Sequence, residues 1–507
     1  MVRREVYMEN KLNGKKVAVI GLDGMAWHIL DKLFKYNAMP YLKSITEKCL
    51  KGILKSTIPP LTVPAWTSIA TGVNPGKHGA FDFLIFSDNY NPRLVNSYDV
   101  CYPRIHEMIA LKGLKTICIN QPITYPILKV KNTIVISDWV SPKLCYYPES
   151  ISKYVQFYKP ATHPEKFTKY PENAMRESIG RINTVNQLAK FFDWNLFWVI
   201  YSEPDHIFHN SYHKLLKGER FFIKIFQKID ETIEMISKKA DIVIIVSDHG
   251  FAEYTYMINI NSILYKLGLL NITWKKTTKD FREFLPKHAT TNIRSVKLPS
   301  RMHEFLLRCP FLKLMVKKLY RRLTGKVLTT EKPNVDIHRS KAFLLSRTSH
   351  GIYVREHSLI DFIIGELEKI EGIKRAYKRE EIYCGPHLNK APNILVEPNF
   401  DKGFTLAQTT KITPTHITVG NVPHHHPDGI LIIFGQGVSA NWLRQPVRTV
   451  DIVPTILRYM GLPLPADTDG KPLSNIDYPQ KQVEYYDYLK HWNLIRQVQL
   501  RKSKLAI

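Results

Sequence analysis

The chain has 507 residues, of which 72 are Lys or Arg and 45 are Asp or Glu, so its formal net charge is +27. Hydrophobic content of 44% and charged content of 23% are ordinary globular values and exclude a disordered chain. No apolar run approaches the roughly 20 residues of a membrane-spanning helix, and the N-terminus lacks a secretory signal. We therefore expect a cytoplasmic protein whose positive charge favours anionic partners, including a phosphoester substrate or, peripherally, an anionic membrane surface.

Residues 15–254 alternate short apolar runs with amphipathic segments. The apolar runs are the predicted strands, at 17–22, 114–120, 133–137, 196–201 and 242–247. Apolar strands separated by amphipathic segments are typical of a mostly parallel sheet with helices on both faces. We predict an α/β fold with a core formed by 15–254 and 396–480, a polar tail at 1–14 and a second tail at 481–507.

Residues 255–395 are richer in Lys and Arg and are predicted to form an inserted basic cap domain. Within them, 301–326 alternates apolar with basic residues, which is typical of an amphipathic helix lying on anionic lipid or packing its apolar face on the cap. Aromatic residues do not interleave with the basic ones, so nucleic acid is not an expected partner. After the insertion, 429–434 is predicted to return to the main sheet as a strand.

Three aspartates follow three of the predicted strands. Asp23, Asp205 and Asp248 each lie where an apolar run has just ended. A single aspartate in such a place is usually a helix cap or a turn residue. In parallel sheets, however, ligands bind beyond the carboxyl ends of the strands. We therefore expect these three carboxylates to converge.

Histidines accompany two of these aspartates. His209 lies four residues after Asp205, on the same face if a helix begins there, and His249 directly follows Asp248. Carboxylate with imidazole is a normal ligand combination for zinc or manganese. The run 424–426 offers three more imidazoles near the other end of the chain. Together these residues suffice to hold two divalent metal ions.

Thr62 is predicted to lie at the N-terminus of a helix, since Pro64 suits a first turn. Such a terminus favours a phosphate group, although a plain N-cap explains the same threonine. A hydroxyl becomes a good nucleophile when a divalent metal lowers its pKa. Two divalent cations beside three aspartates would leave a positive surplus, which suits a phosphoryl anion.

These motifs resemble the alkaline phosphatase superfamily and, within it, the type I phosphodiesterase/nucleotide pyrophosphatase family. The resemblance spans 15–475 and includes five motifs in the family order, together with Asp451-(x)2-Pro454-Thr455 and Asp469-Gly470-Lys471-Pro472-Leu473. The five motifs are Asp23, Thr62-x-Pro64 with Thr71-Gly72-(x)2-Pro75-(x)2-His78-Gly79, Asp205-(x)3-His209, Asp248-His249-Gly250 and the late histidines.

The resemblance implies a metal-dependent phosphoester hydrolase with an alkaline phosphatase-like core, working through a phosphothreonine intermediate. Its two metal ions would be zinc, with manganese or iron as alternatives. One ion would be surrounded by the nucleophile and three ligands, namely Thr62, Asp23, Asp248 and His249. The other would be held by Asp205, His209 and His425, the last chosen because it lies four residues before Gly429.

Two departures from related patterns narrow the chemistry. Thr62 and Trp66 stand where sulfatases have an oxidised Cys or Ser and an arginine, which argues against sulfatase activity. Asp82 lies near the position of a phosphoryl-binding asparagine in nucleotide pyrophosphatases, so nucleotide specificity stays open. His78 is expected to be a hydrogen-bonded structural histidine. Arg347, His350 and Tyr353, in the insertion, are candidate contacts to the leaving group.

Two other functions remain as alternatives to hydrolysis. A metal-dependent phosphomutase or phosphotransferase of the same fold would pass the phosphoryl group from the same intermediate to an alcohol. A basic membrane-surface binding protein would keep the site only as a vestige.

Overall fold

A computed structural model describes residues 14–273, 295–297, 327–329 and 334–505, apart from residues 88, 161–165, 347–349, 408, 413 and 481. Of 295–297, 327–329 and 502–505 the backbone alone is described. Among the described helices, none has the length and apolar character needed to cross a membrane.

The described strands range from two to eleven residues. In chain order they are β1 (Val17–Leu22), β2 (Leu50–Lys55), β3 (Leu84–Phe86), β4 (Pro92–Leu94), β5 (Thr116–Ile119), β6 (Thr133–Ile136), β7 (Tyr146–Tyr147), β8 (Leu196–Tyr201), β9 (Ile242–Val246), β10 (Gly250–Ile258), β11 (Ile272–Thr273), β12 (Ser295–Lys297), β13 (Val327–Thr329), β14 (Asn334–Val335), β15 (Ala342–Phe343), β16 (Gly351–Val354), β17 (Ile373–Lys378), β18 (Ile394–Pro398), β19 (Phe404–Leu406), β20 (His416–His426), β21 (Asp428–Gly435), β22 (Asn441–Trp442), β23 (Val447–Arg448), β24 (Leu464–Pro465) and β25 (Tyr485–Tyr486).

The described α-helices connect these strands. In chain order they are α1 (Trp27–Lys35), α2 (Pro40–Thr46), α3 (Thr62–Thr71), α4 (Pro75–His78), α5 (Ile105–Leu111), α6 (Lys166–Lys169), α7 (Pro171–Phe191), α8 (Glu203–Leu216), α9 (Arg220–Ser237), α10 (Ile260–Lys266), α11 (Ile360–Glu368), α12 (Arg379–Ile382), α13 (Ile452–Tyr459) and α14 (Tyr488–Leu505).

A ten-stranded sheet forms the centre of the molecule, in the order β22-β2-β21-β9-β1-β8-β5-β6-β7, with β23 pairing beside β2. The inner strands β9, β1, β8, β5 and β6 are parallel to their neighbours within this set. The two faces of β1 enter two different apolar cores: Ala18 and Ile20 pack on one side, and Val17 and Val19 on the other. The predicted α/β fold, a mostly parallel sheet between helices, is confirmed.

Strand β21 reverses direction inside this sheet and thereby brings two distant parts of the chain to one edge. It is antiparallel to both β9 and β2. Consequently its amino end lies at the same edge as the carboxyl ends of β9, β1, β8 and β2. We call this the carboxyl edge. The presence of β21 in the main sheet confirms the predicted strand at 429–434.

Residues 258–406 contribute a third apolar cluster, separate from the two cores of the main sheet. It includes a four-stranded sheet in the order β15-β16-β18-β17. A three-stranded sheet, β19-β10-β20, lies between this unit and the carboxyl edge, and β20 ends with the three late histidines. The boundaries of the cap domain at 255–395 stay a prediction, and the basic segment 301–326 lies outside the described residues.

Candidate active site

Three buried carboxylates meet at the carboxyl edge because the strands that precede them are neighbours. Asp23 directly follows β1, Asp248 follows β9 by two residues, and Asp205 lies in the first turn of α8 after β8. Strand β1 lies between β9 and β8 in the sheet. The backbone N–H of Gly24 donates to Oδ1 of Asp248 over 3.2 Å and so joins two of the strand ends.

Two glycines let β1 deliver Asp23 to this edge. A Cβ at Gly21 would lie 2.4 Å from the Trp66 ring, so any side chain there would displace the indole. Gly24 has φ +71°, a left-handed conformation that costs a residue with a side chain energy but costs glycine little. The chain therefore turns sharply just after Asp23.

Asp23, Asp248 and His249 form the first ligand group. Nε2 of His249 lies 3.3 Å from Oδ2 of Asp248 and 3.8 Å from Oδ1 of Asp23. Among the described residues, neither of these two carboxylate oxygens has a hydrogen-bond partner. Oγ1 of Thr62 lies 3.4 Å from the same imidazole nitrogen. Three potential ligand atoms thus lie within 4.8 Å of one another, and the threonine hydroxyl lies beside one of them.

Asp205, His209 and His425 form the second ligand group. Oδ1 of Asp205 lies 3.4 Å from Nε2 of His209 and 3.5 Å from Nε2 of His425, and the two nitrogens are 3.0 Å apart. Helix α8 places the first two side chains on the same face, as their spacing predicts. The groups are adjacent, since the rings of His425 and His249 stack with centroids 3.7 Å apart.

Backbone hydrogen bonds orient the imidazoles of both groups. Nδ1–H of His249 donates to the carbonyl of Gly250 over 3.1 Å, and Nδ1–H of His425 donates to that of Pro60 over 3.0 Å. In each neutral ring the Nε2 lone pair is left free to bind a metal ion, which is the usual arrangement of a metal-binding histidine.

The neighbours of His425 have the opposite tautomer. Nδ1 of His424 accepts from the backbone N–H of His425 over 2.8 Å, and Nδ1 of His426 accepts from that of Asp428 over 3.1 Å. The ring proton of each neighbour is therefore on Nε2, which leaves no lone pair for a metal. Among the three late histidines, the geometry favours His425 as a ligand.

Both groups have the spacing that a divalent metal ion requires. Ligand atoms 2.0–2.1 Å from a tetrahedral zinc ion lie about 3.3 Å from one another, close to the distances within each group. The electrostatics agree. Burial, followed by the charges of Asp248 and Asp205, raises the pKa of Asp23 well above its usual value. Burial, followed by the charge of Asp205, raises the pKa of Asp248 to about 8. A bound cation would relieve this repulsion.

Asp205 of the second group is ionised more readily than the two carboxylates of the first group. Burial by itself would raise the pKa of Asp205, but the neighbouring His209 and His425 outweigh it and lower that pKa well below its usual value. Desolvation lowers the pKa of His425, so this imidazole is neutral and able to bind metal.

Thr62 is the first residue of α3, and the N-cap position is occupied by Leu61. Pro64 lies in the first turn, as predicted. The threonine is therefore not an N-cap; its buried hydroxyl faces His249 instead. The first turn of a helix carries backbone N–H groups without intrahelical partners, which favour an anion beside this hydroxyl.

A family model described as type I phosphodiesterase / nucleotide pyrophosphatase matches residues 17–335. The chain belongs to this family. It is accordingly an enzyme, a hydrolase that acts on phosphoric ester bonds, and the family resemblance in the sequence is confirmed. No curated protein matches this sequence significantly.

Solved structures of related fold cover most of the chain. Phosphonoacetate hydrolase from Sinorhizobium meliloti 1021, in complex with phosphonoformate, is similar with 14% identity and a TM-score of 0.54, over 87% of this chain and 94% of its own. The alkaline phosphatase PafA is similar with 12% identity and a TM-score of 0.53, over 91% of this chain and 99% of its own. Human ectonucleotide pyrophosphatase / phosphodiesterase 5 is similar with 13% identity and a TM-score of 0.50, over 90% of this chain and 97% of its own. At these identities the likeness shows the alkaline phosphatase-like fold.

Other residues singled out in the sequence lie around the site with structural contacts. Nδ1 of His78 accepts from the N–H of Ala80 and its Nε2 lies 3.0 Å from Oγ of Ser68. Burial and the charge of Arg104 lower the pKa of His78 to about 3, so this ring is neutral. Oδ1 of Asp82, near the family's asparagine position, accepts from the N–H of Phe83 over 2.6 Å.

Sequence reasoning missed two features of this site. One is the packing of Trp66 under Gly21, for which the only signal was the glycine itself. The other is the position of His424, whose ring borders the second ligand group although the sequence assigned it no role of its own. Of the candidate leaving-group contacts, His350 is buried and Tyr353 is half-buried, and Arg347 lies outside the described residues.

Proposed function

We propose that this enzyme is a metal-dependent hydrolase of the phosphodiesterase/nucleotide pyrophosphatase type, with Thr62 as its nucleophile. The observation that carries the proposal is the position of the Thr62 hydroxyl, 3.4 Å from the His249 imidazole of the first ligand group. The His425 ring of the second ligand group stacks on that imidazole. A nucleophile beside two metal-binding groups is the arrangement that an in-line displacement at phosphorus needs.

The seven proposed site residues divide between two divalent ions. Thr62 and the first ligand group would hold one ion, and the second ligand group would hold the other. When bound, the ions would lower the pKa of the threonine hydroxyl and neutralise charge on the phosphoryl oxygens. A mixed carboxylate and imidazole set suits zinc best, and manganese and iron are the alternatives.

The reaction proceeds in two steps on Thr62. Its hydroxyl loses a proton and forms a bond to phosphorus, while the bond from phosphorus to the alcohol oxygen breaks and that alcohol takes up a proton. Water then attacks the phosphothreonine, releases phosphate or a phosphomonoester and restores the hydroxyl. The N-terminus of α3 orients the phosphoryl group through both steps.

A combined metal and activity measurement tests this proposal. The purified protein should contain one divalent ion for each ligand group and should hydrolyse members of a panel of nitrophenyl monoesters and diesters. Thr62→Ala should lower kcat/KM by at least about 10³-fold, because it removes the attacking atom. Thr62→Ser keeps a hydroxyl and should retain part of the activity, and Thr255→Ala, outside both groups, serves as the matched control. Full activity in Thr62→Ala would refute the assigned nucleophile.

Product analysis with an acceptor alcohol separates hydrolysis from phosphoryl transfer. We expect the same amount of phosphate or monoester with and without the acceptor. A new ester of the added alcohol as the main product would instead indicate the phosphotransferase. The membrane-surface alternative has less support, since a vestigial site would not be expected to keep both ligand groups together.

A further inference from the structure

Two phenylalanine side chains protrude into solvent along the outer face of α7. Phe157 is 82% exposed and Phe191 is 60% exposed. Single apolar residues on a protein surface are normal, but a group of exposed aromatic rings usually marks an interaction site. A Cβ added at Gly180 would lie 2.7 Å from the carbonyl oxygen of Phe157, so the loop that carries Phe157 packs on the middle of α7. Phe191 is the last residue of the same helix.

Other aromatic rings lie between these two. The centroid of the Tyr154 ring is 6.2 Å from that of Phe191 and 5.1 Å from that of Phe192. Oγ1 of Thr184 donates to the carbonyl of Tyr154 over 3.1 Å, and positions 184 and 191 share one face of a helix because they are seven residues apart. The rings therefore form one surface along α7. We call it the aromatic patch, and its members are Tyr154, Phe157, Phe191 and Phe192.

Two lysines cover rings of the aromatic patch. Nζ of Lys153 lies 5.0 Å from the centroid of Tyr154, and Nζ of Lys190 lies 5.4 Å from that of Phe191. Both lysines are exposed, and neither forms an ion pair within the described part of the chain. Their charges can therefore meet an anionic partner. Because the ammonium groups lie over the ring faces, these rings are poor platforms for stacking nucleobases.

An open groove between α7 and α9 continues the same surface. It has a volume of about 720 Å³ and is lined by Ile179, which precedes the contact of Gly180 with the Phe157 loop. Three cations of α9 line its other side at spacings of four residues, so they form one row on that helix. One of them pairs with Glu231, and the other two have no ion pair among the described residues. The three cations are Arg220, Lys224 and Lys228.

This outer face carries a positive surplus. The five cations named above are joined by Arg176, which is exposed on α7, and the acidic residues that line the groove are Glu172 and Glu231. Six cations against two carboxylates leave a surplus of four. A second copy of the chain would bring the same charge to the contact and would be repelled. An anionic bilayer fits, since it attracts basic residues and takes up exposed aromatic rings between its headgroups.

We propose that the aromatic patch and the adjoining groove bind an anionic membrane surface. Phe157 and Phe191 insert between the headgroups, and the surrounding cations contact the lipid phosphates. The inference goes beyond the proposed function and does not depend on it. Phe191 precedes the first residue of β8 by five positions (196 − 191), so the end of the patch lies near the amino end of that strand, opposite the carboxyl edge. Membrane binding on this face therefore leaves the two ligand groups accessible from solvent.

Flotation of the full chain with lipid vesicles tests the proposal. Vesicles with about 30% phosphatidylserine in phosphatidylcholine should bind the protein at least about tenfold more tightly than pure phosphatidylcholine, because the cations need an anionic surface. A rise in salt from about 50 mM to about 500 mM should weaken this binding by about tenfold or more, because salt screens the attraction. Absence of binding to the anionic vesicles at low salt would refute the proposal, as would equal binding to both compositions.

Two double variants assign the binding to this face. Phe157→Ser with Phe191→Ser removes the inserted rings, and Lys153→Gln with Lys190→Gln removes two charges. Each pair should weaken binding to the anionic vesicles by about tenfold or more. All four side chains are exposed, so the variants should melt at the wild-type temperature. Wild-type binding by both folded pairs would show that this face is not the membrane contact.

Matched control variants carry the same changes elsewhere. Phe362→Ser with Tyr485→Ser removes two exposed rings, which are 49% and 63% exposed, and Lys374→Gln with Lys402→Gln removes two exposed lysines. Both control pairs should bind anionic vesicles as the wild type does. Equal losses in the control pairs and the test pairs would mean that binding follows overall charge and apolar exposure, and would overturn the assignment to α7.

Hydrogen exchange of the wild-type chain maps the contact without any substitution, and so decides the matter even if a variant does not fold. Anionic vesicles should protect backbone amides of 153–157 and 187–192. Protection confined to other segments would refute the proposal. Binding of a single-stranded oligonucleotide that both test pairs abolish, without vesicle binding, would identify nucleic acid as the partner instead. Turnover of soluble nitrophenyl esters should be equal with and without vesicles, so failure of the proposed hydrolase is seen separately from failure of membrane binding.

Discussion

The two ligand groups are built from the same residue types but differ in their access to solvent. In the first, the side chains of Asp23, Asp248 and His249 are at most 2% exposed. In the second, the side chain of His209 is 28% exposed and that of Asp205 is 11% exposed. The difference follows from the supporting elements, since the first group lies just beyond the ends of central strands, whereas Asp205 and His209 lie on the first turns of α8 and His425 lies near the end of β20.

This contrast separates two tasks within one site. The first group is part of the sheet core, where burial and like charges raise the pKa values of its carboxylates, a repulsion that a bound cation would relieve. The second is at the open side, where imidazoles already lower the pKa of Asp205. We infer that the first group fixes the nucleophile and that the second is where metal ions and substrate enter.

Removal of one ligand from each group is the most direct test of the different tasks inferred for the two groups. Asp248→Asn should lower kcat/KM by at least about 10³-fold and abolish binding of one ion, because the loss of a partner that merely orients a ligand already costs 10–100-fold. His209→Asn should have a smaller effect, about 10²-fold, since water can replace an exposed ligand. Metal content by mass spectrometry and nitrophenyl ester kinetics measure both. Equal effects of the two variants would contradict the division of tasks.

A buried ion pair supports the helix of the second group. Nη2 of Arg181 lies 2.7 Å from Oε1 of Glu203, two residues before Asp205, and both side chains are at most 3% exposed. Glu203→Gln removes the charge that pairs with this buried guanidinium and should lower the free energy of unfolding by about 3–5 kcal/mol. Glu231→Gln, in the exposed Lys228–Glu231 pair, should change it by less than about 0.5 kcal/mol. Urea unfolding measures both changes in the free energy of unfolding. Similar losses would show that the buried pair contributes no more stability than the exposed pair.

Removal of metal should distinguish the groups by rate. A chelator should extract the ion of the exposed second group first and that of the first group later, so metal loss should follow two phases. Each ion stabilises the fold by about 2.7 kcal/mol when its free concentration is 100 times its Kd. Melting temperature followed alongside metal content should therefore fall in two steps. A single phase would mean that the two groups bind and release their ions together.

The smallest expected effect concerns the strand that supports the first group. Gly21→Ala would place a methyl group 2.4 Å from the Trp66 ring and should destabilise the protein by about 1–3 kcal/mol. Gly365→Ala, in the exposed face of α11 with nothing within 4 Å, should instead stabilise it by up to about 1 kcal/mol. Thermal and denaturant unfolding compare the two. A neutral Gly21→Ala would show that the strand can shift without loss.

Much of the fold could be predicted because its signals are local. The apolar runs of β1, β8 and β9 are buried on both faces, and such runs predict a parallel sheet. The positions of Asp23 and Asp248 followed from the rule that parallel strands end at one edge. The spacing of Asp205 and His209 followed from the pitch of a helix.

The histidine run shows where such reasoning ends. The sequence favoured His425 through its distance from Gly429, but the neighbouring imidazoles differ from it only in their hydrogen bonds. Those bonds come from the carbonyl of Pro60, 365 positions away, and from the peptide groups of β20 and β21. The tautomer of each ring therefore depends on contacts that no local pattern contains.

By itself, then, the sequence determined which residue types stand at the ends of the strands, since strand and helix periodicity are properties of neighbouring residues. Only the tertiary structure decided that β9, β1 and β8 lie side by side and that His425 turns its Nε2 towards Asp205. These arrangements depend on packing and hydrogen bonds between segments hundreds of residues apart, whose free energies are set by the folded chain as a whole.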